Sequence, residues 1–154
     1  MYTPRTDRKI LIAGHLLRQS LMGSDLSYED MMEDHKLSKS YTATFENFTN
    51  IEDIKCAVLN LIALDKKTTY QTRKAWINPE NKTILKEERF AKSGKLLKRV
   101  LFKDYEIISG RNFPRTMIFK DLLKENTKTT YKFDEIKFDI EIPNRYFSLS
   151  ILKK

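Results

Sequence analysis

Few residues in this chain are equipped for covalent chemistry. The 154 residues include one cysteine, Cys56, and two histidines, His15 and His35. Cys56 sits in the apolar run IKCAVLNLIAL, where a lone thiol behaves as a small buried hydrophobe. No cysteine–histidine cluster has zinc spacing, so neither a metal nor a cofactor is implied. Ser24 and Asp25, adjacent in SLMGSDLSYEDMM (residues 20–32), are the pair a hydrolase would use. Such a serine needs an elbow of the G-x-S-x-G type and a placed base, and no local motif supplies them. Gly-Ser-Asp reads better as a turn. Gly23 permits the sharp bend, and Ser24 and Asp25 offer side-chain hydrogen bonds to turn amides. The expectation is a binding protein and not an enzyme.

The formal charge is +8, which suits an anionic partner such as nucleic acid, membrane headgroups or an acidic protein. The basic residues are scattered, however, as they are when lysines simply solvate strand edges and exposed faces. A basic β domain stacking bases on exposed Tyr and Phe is the alternative reading. It lacks any RNP-type or KH-type motif, so nucleic acid is not the favoured partner. With 40% hydrophobic residues, four Gly and four Pro, the chain has the composition of one globular domain over 1–154, without a linker. The longest apolar run falls far short of the ~20 residues that span a bilayer. The opening residues YTPRTDRK lack the apolar core of a signal peptide.

The elements are mostly strands. KILIA (9–13) is a short strand that Gly14 can end. A helix is predicted over 28–34, with Ser27 as N-cap and Asp30 completing a capping box. Leu26 and Met31 occupy its staple positions, and Glu29 and Asp30 lie in the first turn, where the helix dipole favours anions. Further strands are predicted at 41–48, 54–64, 72–78, 83–91, 96–108, 115–121 and 129–140, separated by turn-forming segments. Short connections make consecutive strands antiparallel neighbours, a meander. Large apolar residues, Trp76, Phe90, Phe102, Phe119 and Phe138, are assigned to one face of the sheet. In the last strand Tyr131 and Phe133 oppose Ile136, Phe138 and Ile140 by parity, so a β-bulge is expected near Asp134 and Glu135. Pro143 and Asn144 then break the strand, and RYFSLSILKK closes as a short helix or irregular tail. The whole is mainly β, a twisted antiparallel sheet of about seven to eight strands that needs something to cover its apolar face.

The N-terminal stretch also resembles a known family. YTPRTDRKILIAGHLLRQSLMGSDLSYEDMM is similar to the central stretch of the LolA-like outer-membrane lipoprotein-sorting proteins, through Tyr2, Pro4, Arg8, Arg18, Gln19, Ser20, Met22, Gly23, Ser24, Asp25, Tyr28, Glu29 and Asp30. Trp76 in WIN, KSGKLLK and NRYFSLSIL extend the resemblance over essentially the whole chain. It implies a strongly curved, unclosed half-barrel whose concave side is plugged by helices. On that basis the chain is expected to lack the family's N-terminal helix and first strands.

The resemblance further implies lipoprotein or lipid acyl chains as cargo, inner- or outer-membrane transport components as partners, and the periplasm of a Gram-negative bacterium as location. Leu21, Met22, Leu26, Met31 and Met32 would then face the hollow, with Trp76, Phe90, Phe102, Phe119 and Phe138 lining it from the sheet, flexible Met side chains adapting to imprecise cargo. Core packing competes for the same residues, because a capped helix on a sheet needs apolar contacts anyway. Arg18 lies among apolar neighbours and is expected to pair with Asp25 or Asp30. An unpaired sheet edge left by missing strands is expected to make the protein dimerise or swap strands.

Overall fold

The computed structural model describes residues 2–3, 8–9, 14–32, 37–148 and 151. Two short strands, β1 (Tyr2–Thr3) and β2 (Arg8–Lys9), pair antiparallel. Of the strand expected over 9–13, residues 10–13 lie outside the described residues, as do 33–34 of the expected helix. Two 3-10 turns, Gly14–Arg18 and Leu21–Gly23, lead to helix α1 (Tyr28–Met32) and then α2 (Leu37–Ser40). Seven strands follow: β3 (Tyr41–Ile51), β4 (Ile54–Ala63), β5 (Thr72–Asn78), β6 (Thr83–Phe90), β7 (Leu96–Ile108), β8 (Arg111–Asp121) and β9 (Thr129–Lys132). They form one open antiparallel sheet in chain order, the meander of a LolA-like half-barrel.

Register explains which side chains meet. One row across the sheet reads Phe45, Leu59, Ala75, Glu87, Val100, Phe119 and Thr129, each the pairing partner of the next. Side chains directly opposite share a face, so this row is the spine of the covered side. Leu26 packs on Val100 and Phe119, flanked by Phe102, Met117 and Tyr131; Tyr41, Leu61 and Ala75 form a second core cluster. On β3 the register shifts between Phe45 and Asn47. The extra residue is Glu46, which turns outward to bond Lys74 at 2.8 Å. Phe45 and Phe48, three positions apart, thereby come to the same face with ring centroids 5.0 Å apart.

β4 and β6 end one residue before the sequence reading, β3 runs on to Ile51 instead of 48, and β8 and β9 differ more. β8 begins at Arg111 and runs through Pro114, which pairs with Tyr105. Proline is tolerated there because β9 pairs only with Thr116–Phe119, leaving that stretch of β8 on an edge. The last strand stops at Lys132 instead of 140, so the bulge expected near Asp134 and Glu135 does not form. Phe133 and Phe138 still reach the sheet: both pack edge-on against Phe113, at 5.6 and 5.7 Å. They do so from an irregular segment that ends in the 3-10 turn Asn144–Phe147.

Candidate functional site

α1 is held by a reciprocal capping box. The Ser27 amide donates to Asp30 Oδ2 at 2.7 Å, and the Asp30 amide donates to Ser27 Oγ at 3.2 Å. Asp30 is buried and does far more than cap. Its Oδ1 accepts from Arg89 at 2.8 Å and from the Tyr70 hydroxyl at 2.7 Å, and Lys98 Nζ bonds Oδ2. Sequence reasoning missed these partners, and register shows why they need Asp30. Leu61, Arg73, Arg89, Lys98 and Asp121 form a row beside the spine, so three cations stand on adjacent strands. Like charges directly opposite repel. Asp30 enters from above between Arg89 and Lys98, while Glu87 bonds Arg73 at 2.8 Å and Arg89 at 2.7 Å from within the sheet. Arg73 is only 2% exposed and also donates to the Tyr41 hydroxyl, 2.8 Å away.

Burial alone would raise the Asp30 carboxyl, but Arg89 and Lys98 overcome it and hold it at about 2. Tyr70, buried against that carboxylate, is pushed well above the usual phenol range.

Asp25 forms a second mooring. Its Oδ1 accepts from the Asp121 amide at 3.1 Å and the Thr127 hydroxyl at 2.8 Å, and its Oδ2 from the Thr129 hydroxyl at 2.8 Å. Burial opposes its charge, yet these bonds and Lys124 keep its carboxyl below the ordinary range. Asp25 therefore fastens the segment to the β8–β9 end instead of serving its own turn. Gly23, at φ +80°, makes that turn, and Ser24 Oγ sits 3.3 Å from the Leu26 amide that donates to it.

Beneath α1 lies a cavity of about 570 Å³, within the roughly 300–1,000 Å³ of ordinary ligand pockets. Phe102, Phe113, Met117, Phe119, Tyr131 and Phe133 give it an apolar wall; Asp30, Arg73, Glu87 and Arg89 form a charged end. Lys82 and Asn112 stand at its border on exposed residues. Tyr105, whose hydroxyl donates to Ile84 O at 2.6 Å, also lines it, and burial pushes that phenol up to about 12.

Of the ten expected lining residues, Leu26, Met31, Phe102 and Phe119 border this cavity. Met22 does not: it is 87% exposed, with a left-handed backbone at φ +49° that turns it outward. Leu21 does not border the cavity either; it opens the second 3-10 turn, where its amide donates to Leu26 O at 2.7 Å. Met32 borders a separate recess of about 170 Å³ with Glu29, whose Oε2 is buried without a partner among the described residues. Trp76 falls on the opposite face, beside Lys86, whose Nζ lies 3.5 Å from the ring centroid. Phe90, next to Arg89 at the end of β6, lies outside the cavity, and so does Phe138, which packs against Phe113 of its wall. The expected Arg18 pair is also absent. Arg18 is exposed, and the two carboxylates are taken by the partners named above.

A family model described as "-like: Uncharacterized protein" matches residues 1–154. The chain belongs to that family. No curated protein matches it. Three solved structures do. A DUF1329 family protein from Desulfovibrio piger is 24% identical, with a TM-score of 0.88 over 98% of this chain and 62% of the other. An outer membrane lipoprotein-sorting protein domain from Vibrio parahaemolyticus is 22% identical, with a TM-score of 0.82 over 99% and 64%. A LolA superfamily protein from Nitrosomonas europaea is 25% identical, with a TM-score of 0.73 over 88% and 60%. The family member thus has a LolA-like fold, and spans 60–64% of the length of these structures.

Proposed function

We propose that this family member is a non-catalytic carrier that takes acyl chains of a lipid or lipoprotein into its hollow. The observation that supports this most directly is the apolar wall of β7, β8 and β9 facing empty space under a capped helix. Each methylene withdrawn from water contributes about 0.8 kcal/mol, so one long chain supplies enough gross energy to displace part of that cover. Release requires that the empty state be closed by the protein's own contacts, and the moorings at Asp25 and Asp30 are such contacts. By likeness to the lipoprotein-sorting domain and the LolA superfamily protein, we place the carrier in the periplasm of a Gram-negative bacterium. Its cargo there travels toward the outer membrane, with inner- or outer-membrane transport components as partners.

Self-association belongs to the same proposal. β3 is an edge strand, exposed along nearly its whole length, and Phe45 and Phe48 are 56% and 54% exposed. Sedimentation over a concentration series checks it.

The carrier reading is tested with delipidated protein and a fluorescent fatty acid, alongside mass spectrometry of co-purified lipid. Saturable uptake, displaced by unlabelled fatty acid, is expected. Delipidated, folded protein that takes up no acyl chain sinks the proposal.

A further inference from the structure

On the carrier reading, we infer that the Arg73–Arg89–Lys98 row is an anion subsite for the head of an amphiphile, and that Asp30 occupies it while the hollow is closed. Three observations converge. The row is built into three adjacent strands of the covered face, so its cations persist whether or not α1 lies above them. The group now bonded to Arg89 and Lys98 is a carboxylate from another element, delivered by a helix of only five residues. And two of the row's three cations border the cavity: Arg73 and Arg89 line, with Asp30, the same space as Phe102, Met117 and Phe119, and Lys98 reaches it through its bond to Asp30.

An anion placed where Asp30 sits would therefore have its tail directed along the apolar wall. It would also meet the partners Asp30 has now: the Arg89 guanidinium, the Lys98 ammonium and the Tyr70 hydroxyl. Arginine's fork and lysine's point charge are the usual donors to phosphate and carboxylate. Substitution of one anion for another keeps the row neutralised, so the exchange avoids the large cost of leaving buried cations bare. A neutral head has no such exchange to offer. α1 would stay moored against it, and its affinity would be lowered by the fraction of molecules that are open. The ligand class is a single- or multi-chain lipid with a phosphate or carboxylate head.

The experiment measures binding of hexadecyl phosphate, hexadecanol and inorganic phosphate to delipidated protein. It uses the native chain, Asp30→Asn and Lys98→Gln, with hydrogen exchange across residues 26–32 as a second readout. Hexadecyl phosphate is expected to bind about tenfold tighter than hexadecanol and to raise exchange in 26–32. Asp30→Asn should strengthen both ligands by freeing the cover, and the phosphate more than the alcohol, because Arg89 and Lys98 are then left for its head. Lys98→Gln should erase most of the difference. If Asp30→Asn does not fold, the native chain and Lys98→Gln still decide the matter. Equal binding of phosphate and alcohol in both proteins overturns the subsite and leaves the carrier reading standing; binding of neither overturns the carrier reading as well. Inorganic phosphate bound as tightly as hexadecyl phosphate would also overturn it, by showing an anion site unconnected to the hollow.

Discussion

Asp30 on α1 and Arg89 on β6, 59 residues apart in the chain, meet at 2.8 Å inside the protein. The pair joins the cover of the hollow to its floor. Asp30→Asn keeps the shape and removes the charge, leaving Arg89 and Lys98 without their shared carboxylate. Breaking a buried pair from one side costs about 3–5 kcal/mol, and the urea midpoint should fall accordingly.

Acid should act on the same carboxylate. Its folded pKa of about 2 lies below the unfolded value near 3.8, so its contribution is present above the unfolded value and is lost as pH falls toward 2. The shift corresponds to about 2 kcal/mol. Urea unfolding of the native chain between pH 5 and 2 should show that loss, and Asp30→Asn should flatten this part of the profile.

Asp25 makes three bonds to the β8–β9 end. Asp25→Ala leaves the Asp121 amide without its acceptor, for a cost of about 1–3 kcal/mol. Amide exchange should rise first in residues 20–30 and change little in β4 and β5. Uniform acceleration across the sheet would contradict a local mooring.

Met117 lines the cavity, whereas Trp76 lies on the other face. Met117→Trp should narrow the hollow and lower fluorescent fatty acid uptake about tenfold, at a packing cost of about 1–3 kcal/mol. Trp76→Ala should leave uptake within about twofold. Equivalent losses in the two variants would mean that uptake does not occur in this cavity.

Arg18 is exposed and makes neither of the expected pairs. Arg18→Ala should change stability by no more than about 0.5 kcal/mol.

The backbone was largely legible because β3 to β8 alternate or carry β-formers between clear turns, and because Ser27 and Asp30 have capping-box spacing. The charged floor was not. The charged residues read as solvating strand edges and the exposed face, yet Arg73, Glu87 and Arg89 are buried. A signal was present: β6 carries charge at both parities, Lys86 and Glu88 on one side and Glu87 and Arg89 on the other. A strand with one face covered must then bury ions, and buried ions need partners from elsewhere. Which partner, Asp30 and not the nearer-sounding Arg18 pairing, depends on how the meander curls, and periodicity does not encode that. The end of β9 failed for a related reason. Alternation in TTYKFDEIKFDI resembles a strand, but beyond Lys132 the chain leaves the unpaired stretch of β8, and Phe133 and Phe138 pack edge-on against Phe113 instead of continuing the ladder.

The supernumerary Glu46 has an effect beyond its own strand. Rings three positions apart on a pleated ribbon ordinarily point to opposite sides, but here both Phe45 and Phe48 lean inward at the outermost margin. That gives the basin a greasy sill. Neither ring borders the cavity, so this margin is where the self-association proposed for β3 would bury apolar surface, and not a continuation of the hollow.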